Sequence, residues 1–439
     1  MNQTRDHWGS RIGFVLAAAG SAIGLGNLWK FPYITFENNG GAFVLVYLAC
    51  IAMVGLPIMI TEILIGRKTQ LSAVGAMQSL GPWGWVGGLG VLTGFVILGY
   101  YTVIAGWSLR YFTTCVGWTM SGYTTGDSGP DAFAAFTARG SLQVLLSGLF
   151  MLATMTVVLK GVGRGIEAVA RVLLPILFAI LLVLLGSAMT MEGAGKALSF
   201  IFEPRFDELP MSGVLEALGH AFFTLSLGMG AMITYGSYMR RSESVVRSAL
   251  MVVVLDTLIA LVATVTMFSV VFSVPGLSDS IGRSAVGMLF ITLPEQFYTV
   301  VPFGGILAPL FYVLVAFAAL TSTISLLEVI VAYFIDQRGM PRNGAVILVG
   351  FLTLGLSTLC ALSLGAVDGL SSFSWIAGKE GVLSQLDHLA SNWFLPLGGF
   401  FITLVAGWFV SRDELRAELV DATTPGWFNF EVWRFFVRF

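Results

Sequence analysis

Ala22-Ile23-Gly24-Leu25-Gly26-Asn27-Leu28 lies inside the first apolar stretch of the chain and puts two glycines and an asparagine where a membrane-crossing helix carries bulk. The helix is expected to break there. Ser226-Leu227-Gly228-Met229-Gly230 interrupts the sixth apolar stretch at the matching depth. Unwound backbone in hydrocarbon leaves N–H and C=O groups without partners, so it persists only where it is buried in protein or lines a cavity that holds something polar. Free carbonyls suit a hard cation such as Na+, and the amide ends of half-helices, with their partial positive charge, suit a carboxylate. Two broken spans at corresponding places therefore point to one shared binding site.

Composition sets the solvent around that site. The chain has 439 residues, 56% hydrophobic and only 11% charged, with 34 phenylalanines and a mean hydropathy of +0.86. That is too little charge to cover a water-exposed surface, so the chain reads as an all-α integral membrane protein with lipid as its main solvent. A net charge of −2 points to no nucleic-acid partner. Cys50, Cys115 and Cys360 stand singly in apolar segments, which implies neither a disulfide framework nor a metal site. No charged stretch with a short apolar run and cleavage site precedes the first span, so an uncleaved amino terminus is expected.

A spanning helix needs about 20 mostly apolar residues, and the polar punctuation cuts the chain into ten candidates, at roughly 11–36, 42–66, 87–118, 141–160, 166–190, 212–239, 244–273, 303–336, 344–365 and 388–411. Lys and Arg gather on the side of the amino terminus, as at Arg67, Lys68, Arg240 and Arg241, which predicts a cytoplasmic amino terminus in the cell membrane. Five spans separate the two breaks, so the halves are expected to be inverted copies: residues 1–190 with spans one to five, and 191–411 with spans six to ten. Residues 276–301 are expected to dip into the outer side as a lid. The tail, 412–439, ends in an aromatic segment too short to cross, either an interfacial helix or a truncated eleventh span.

These residues resemble the neurotransmitter:sodium symporters, the family of the leucine-transporter-like fold. Trp8-Gly9-Ser10-Arg11 followed by Gly24-Leu25-Gly26-Asn27-Leu28-Trp29-Lys30-Phe31-Pro32 is similar to its first span, and Asn39-Gly40-Gly41-Ala42-Phe43 with Glu62 and Gly66-Arg67 to its second. Phe222-Phe223-Thr224-Leu225-Ser226-Leu227-Gly228 resembles its sixth span and Leu320-Thr321-Ser322 its eighth. The resemblance implies a 5+5 inverted-repeat transporter fold with discontinuous helices 1 and 6, working by alternating access.

It also implies two sodium sites. One uses the Ala22 carbonyl, Asn27, Thr224 and Asp256, with the substrate carboxylate as a further ligand; the other uses carbonyls of Gly20, Ile23 and Ala318 with the hydroxyls of Thr321 and Ser322. Asp256 lies amid the apolar run 251–262, where a carboxylate costs about 2.5–3.5 kcal/mol on insertion scales unless it finds a partner such as a cation. Many animal members place an amide there and recruit chloride nearby. The fixed charge of Asp256, with Ala260 one turn on, is expected to replace it, so chloride is not expected. His220, where the family usually has glutamine, reads as a packed neutral ring, with proton exchange with Asp256 as the other reading.

The implied substrate pocket takes the carboxylate end from the Leu25 and Gly26 amides and the Tyr101 hydroxyl, and the side-chain end from Ile97, Phe223, Ser226, Met229 and Leu326, with Ser21, Ala22, Thr224 and Ser322 around it. That lining suits a hydrophobic or aromatic L-amino acid; another small zwitterion, or a sodium-dependent sensor of the same fold, is the alternative. Two gates are implied. The inner one sets Arg5, with Trp8, Ser237 and Tyr238, against Asp336; the outer one sets Lys30 against Asp387. Lys30 sits about 4.5 Å along the helix from Asn27. Gly165 and Pro175 match a family spacing for a fifth span that unwinds. An enzyme is disfavoured, because three histidines (His7, His220 and His388) form no HExxH, and a channel because the polar groups converge on one spot.

Overall fold

The computed structural model describes residues 6–124, 126–277, 287–420 and 423–439. Inner and outer below denote the side of the amino terminus and its opposite. Eight described helices are long and apolar enough to cross a membrane: Gly41–Thr69, Gly84–Ser121, Gly140–Leu159, Val162–Ala188, Val245–Phe272, Gly304–Arg338, Arg342–Leu362 and Val382–Phe409, here spans 2, 3, 4, 5, 7, 8, 9 and 10. Span 1 is a bent pair, Arg11–Ala22 and Gly26–Glu37, meeting at 49°. Span 6 is likewise two pieces, Met211–Thr224 and Ala231–Gly236. The ten stretches expected from the sequence are thus all helical, and the two expected to break are the two that do.

Spans 3 and 8 pack along each other at the centre, 78% and 72% buried over their most apolar windows, whereas span 5 at the rim is 33% buried. The inner half of span 1 lies against spans 5, 7 and 8, which places its break at the middle of the bundle.

Prolines shape the helices in one recurring way. A wide turn covers residues Gly26–Lys30, Ile51–Gly55, Met288–Thr292 and Ala390–Phe394, and each ends two residues before a proline, at Pro32, Pro57, Pro294 and Pro396. In each case the residue before the proline donates its N–H five residues back, as Phe31 does to Gly26 and Leu395 to Ala390. Proline has no N–H to give and its ring crowds the carbonyl four residues earlier, so loosening the preceding turn relieves the clash while keeping the ladder closed.

The expected lid is helical over Met288–Thr292 and Leu293–Thr299, with Pro294 in the first turn, where its missing N–H costs nothing; residues 278–286 of that segment lie outside the described residues. The tail forms Arg412–Leu419 and Phe430–Arg438. The first pairs with the inner end of span 2 through Lys68–Glu414 and Arg67–Glu418. The second, at nine residues too short to cross, rests on spans 2 and 10, with Trp433 Nε1 donating to the Pro57 carbonyl at 3.2 Å and Arg438 Nε to the Gly407 carbonyl at 2.8 Å.

Candidate functional site

The two breaks face each other and are tied by hydroxyls. Ile23 takes an extended conformation after the inner half-helix of span 1 ends at Ala22. Across from it Ser226, Gly228 and Gly230 have φ of +54°, +79° and +74°. A non-glycine residue in that region is strained, and Ser226 is held there by donating to the Ser21 carbonyl at 2.9 Å while Ser21 Oγ donates to Ser325 Oγ at 2.7 Å. Gly228 cannot be another residue without rearrangement, because a Cβ there would lie 2.2 Å from the Leu395 carbonyl oxygen as well as meeting the positive φ. Its N–H donates to Glu62 Oε1 at 2.7 Å, and Glu62 is completely buried. A carboxylate carried on span 2 thus satisfies one of the amides freed by unwinding span 6.

Asp256, also completely buried, receives Asn27 Nδ2 at 2.8 Å and the Thr224 hydroxyl at 3.1 Å to each oxygen; Asn27 Oδ1 accepts the Gly24 N–H at 3.0 Å. Three of the residues assigned to the first sodium site are therefore joined, and Ala22 and Thr224 line one cavity. At the second site, Thr321 and Ser322 donate to the Ala318 carbonyl at 3.0 and 3.2 Å, and Ser322 also approaches the Ser21 carbonyl at 3.3 Å. Gly20 packs on Thr321, where an added Cβ would sit 3.2 Å from the threonine Cβ. Ile23 is buried one residue before Gly24, where an added Cβ would lie 2.6 Å from the Ser322 hydroxyl. Among the described residues no cluster of three His, Cys, Asp or Glu could hold a metal. The donor set is carbonyls, hydroxyls, one amide and one carboxylate, which fits a hard cation and not a thiophilic transition metal.

Between these sites lies a cavity of about 30 Å3. Ser21, Ala22, Gly26, Ile97 and Tyr101 line it from spans 1 and 3, and Phe223, Thr224, Ser226, Met229, Ser322 and Leu326 from spans 6 and 8. Leu25 is the one expected substrate residue not on that wall; its N–H donates to the Tyr101 hydroxyl at 2.9 Å. Ser325 and Gly24 also line the cavity; Gly24 is one of the two glycines of the span 1 break, and Ser325 carries no signal in the sequence.

On the inner side the described residues are closely bonded. Trp8 is fully buried, its Nε1 donating to the Tyr235 carbonyl at 2.9 Å and its N–H to the Tyr238 carbonyl at 3.1 Å. The Tyr238 hydroxyl donates to Glu328 at 2.7 Å, and Arg342 grips that carboxylate with two nitrogens at 2.8 and 2.9 Å. Ser237 donates to the Thr234 carbonyl, and Asp336 accepts the Ser72 N–H at 2.6 Å. Arg5 lies outside the described residues. On the outer side the expected Lys30–Asp387 ion pair is not formed: Lys30 Nζ sits 4.5 Å above the Phe223 ring, and Asp387 accepts from Ser391 at 3.1 Å. Lys30 lines a cavity of about 430 Å3 with Glu216, His220 and Ser391. The His220 ring stacks on Phe31 at 5.5 Å with both nitrogens unpartnered, and it makes no bond to Asp256.

Glu62 was quoted only as part of a motif, and Glu328 and Glu167 were passed over. Glu62 and Glu328 are acidic residues within apolar runs, the signal that singles out Asp256, so the same test applied to them finds both; Glu167, between Arg164 and Arg171, carries no such signal.

Comparison with known proteins agrees with this geometry. The profile of the "Sodium:neurotransmitter symporter family" matches residues 5–127 and 132–436. An uncharacterized sodium-dependent transporter of Bacillus subtilis, YhdH, is 36% identical over 98% of this chain and 94% of its own length. One from Methanocaldococcus jannaschii is 30% identical over 94% and 83%. Among solved structures, MhsT in complex with L-phenylalanine superposes with a TM-score of 0.90 at 40% identity, over 99% of this chain and 97% of that one.

Proposed function

This chain belongs to the sodium:neurotransmitter symporter family, a family of transporters and not of enzymes, and from that premise we propose that it imports a hydrophobic or aromatic L-amino acid together with sodium, without chloride. The observation that carries this is the buried Asp256 carboxylate bonded to Asn27 and Thr224 beside the break in span 1. A fixed negative charge at that point can be neutralised by Na+ alone, so a separate anion is superfluous there.

The residues act in sequence. Asn27 and Thr224 now satisfy Asp256; a cation arriving between them takes over that role, turning the Asn27 amide oxygen and the Ala22 carbonyl toward itself. The second ion sits where Gly20, Ile23, Ala318, Thr321 and Ser322 supply oxygens. Leu25 and Gly26 amides and the Tyr101 hydroxyl receive the substrate carboxylate, which completes the first sodium shell and so couples ion to substrate. The cavity is small at about 30 Å3, so Phe223 and Met229 must move to admit a large side chain; the flexible thioether of Met229 suits it to that. That a homologue 40% identical is known in complex with L-phenylalanine supports an aromatic substrate. Residues 1–190 and 191–411 are the two inverted repeats, and alternating access exposes the site to each side in turn, with the amino terminus in the cytoplasm.

The test is uptake by the purified protein in liposomes under an inward sodium gradient, with all twenty amino acids as competitors. Accumulation that collapses without sodium and is competed best by aromatic and large aliphatic residues supports the reading. Sodium-independent uptake, or binding with no accumulation, overturns it.

A further inference from the structure

The inner floor of the central cavity carries hydroxyls that neither sodium nor the substrate carboxylate uses. Ser21, Ser226 and Ser325 all line that cavity and all are buried. A hydroxyl has one hydrogen to donate and two lone pairs with which to accept. The hydrogen of Ser226 goes to the Ser21 carbonyl at 2.9 Å, that of Ser325 to the Ser322 carbonyl at 2.8 Å, and that of Ser21 to Ser325 Oγ at 2.7 Å. Ser21 Oγ also lies 3.2 Å from Ser226 Oγ, but it has no second hydrogen to give. Each hydrogen is thereby taken up inside the protein, and the oxygens turn only lone pairs to the cavity. The bonds resist reversal: that of Ser226 holds a residue at φ +54°, and that of Ser325 ties it back to its own helix. The floor is also distinct from the carboxylate end. A Cβ on Gly24 would lie 2.6 Å from Ser322 Oγ and 2.8 Å from the Tyr101 hydroxyl, so those groups meet at the upper level. Ser325 lies three residues further along span 8 toward its inner end, about 4.5 Å deeper. The substrate's ammonium, on the same carbon as its carboxylate, stays at the upper level, and its side chain reaches the floor.

We propose that Ser325 and Ser21 are specificity-determining residues that accept a hydrogen bond from the far end of the substrate side chain, so that the preferred substrate is an aromatic amino acid bearing an indole N–H or a phenol O–H. The inference rests on the symport reading above and narrows its substrate class. An all-hydrocarbon ring set against this floor covers lone pairs and returns nothing, whereas an N–H or O–H makes a bond to them in a site closed to water. A side chain that ends in an acceptor alone meets only other acceptors. The indole N–H is the closest complement, because it donates and does not accept. The preference is a modest one, since each hydroxyl already has a bond within the protein and an idle lone pair costs less than an idle hydrogen.

The test compares two ligands that differ in the donor alone. Binding of L-tryptophan and of L-benzothienylalanine, in which sulfur replaces the indole N–H on the same bicyclic frame, is measured by calorimetry on the whole protein in detergent, in sodium and in potassium. In sodium the parent is expected to bind tryptophan about tenfold more tightly, the worth of one hydrogen bond. Ser325→Ala is expected to bring the two ligands within about twofold of each other. A variant that weakens both alike and keeps the tenfold gap has lost only packing, and that result overturns the role of Ser325. A parent that binds the two ligands equally overturns the inference without any variant, so the comparison stands even if Ser325→Ala does not fold. Failure to bind either ligand while L-leucine binds in sodium overturns it as well. Binding that is the same in sodium and in potassium counts against the symport reading instead, and the ratio of the two ligands still decides the floor.

Discussion

Asp256 is the residue whose chemistry is most exposed to experiment. It is completely buried and its bonding partners are the neutral groups of Asn27 and Thr224, so Asp256→Ala removes the charge that a sodium ion would neutralise. Sodium activation of substrate binding is expected to weaken by about a hundredfold or more, the factor that ~3 kcal/mol corresponds to, and a binding assay titrated with sodium reads it. Tyr101→Phe takes away the hydroxyl that meets the Leu25 N–H at 2.9 Å. It is expected to raise the substrate concentration for half-maximal uptake by about tenfold, at one hydrogen bond to a charged group, with expression unchanged. Gly228→Ala meets both a φ of +79° and the Leu395 carbonyl. A loss of about 1–3 kcal/mol follows, seen as a lower unfolding midpoint in detergent.

At the scale of elements, the wide turns before Pro32, Pro57, Pro294 and Pro396 show one local remedy used four times. Span 5 differs: its wide turn Val162–Glu167 lies well before Pro175, and a Cβ on Gly165 would sit 2.1 Å from the Val157 carbonyl. Between that turn and Pro175 the helix has a weakened ladder at both ends, which suits a segment that unwinds to let an ion leave. Pro175→Ala restores an N–H and stiffens the helix. Release of sodium to the inside, followed by counterflow or by efflux from loaded vesicles, is expected to slow, and unchanged rates count against a role for this segment. The breaks in spans 1 and 6 were legible because glycine and asparagine interrupt an apolar run. The turn in span 5 was legible only as a spacing, since Val162–Glu167 contains no residue that by itself forbids an α-helix.

For the molecule as a whole, the proposed function assigns the ion requirement to the charge of Asp256. Replacing chloride by gluconate on both sides of the membrane is expected to leave sodium-driven uptake within about twofold, the change that ordinary screening differences bring; a fall to background refutes chloride independence. Topology is checked at Met120, 84% exposed near the outer end of span 3. A cysteine there in the background lacking the native cysteines is expected to react with an impermeant reagent added outside intact cells, and protection from it would invert the orientation drawn from Lys and Arg.

The sequence by itself determined that the chain lives in lipid, that it crosses about ten times, and that spans 1 and 6 must open where Gly24, Gly26, Gly228 and Gly230 stand, because hydrophobic length and missing side-chain bulk are local properties. Its resemblance to known symporters also named most of the residues that line the central cavity. Only the tertiary structure decided which partners the buried acids take. Glu62 reaches Gly228 across 166 positions, Glu328 is shared by Tyr238 and Arg342, and Glu167 holds Gly9 and Ser10. It likewise set Lys30 over Phe223 instead of beside Asp387. A buried charge announces in the sequence that it needs a partner, but the partner comes from another helix, and which helix arrives there is fixed by packing.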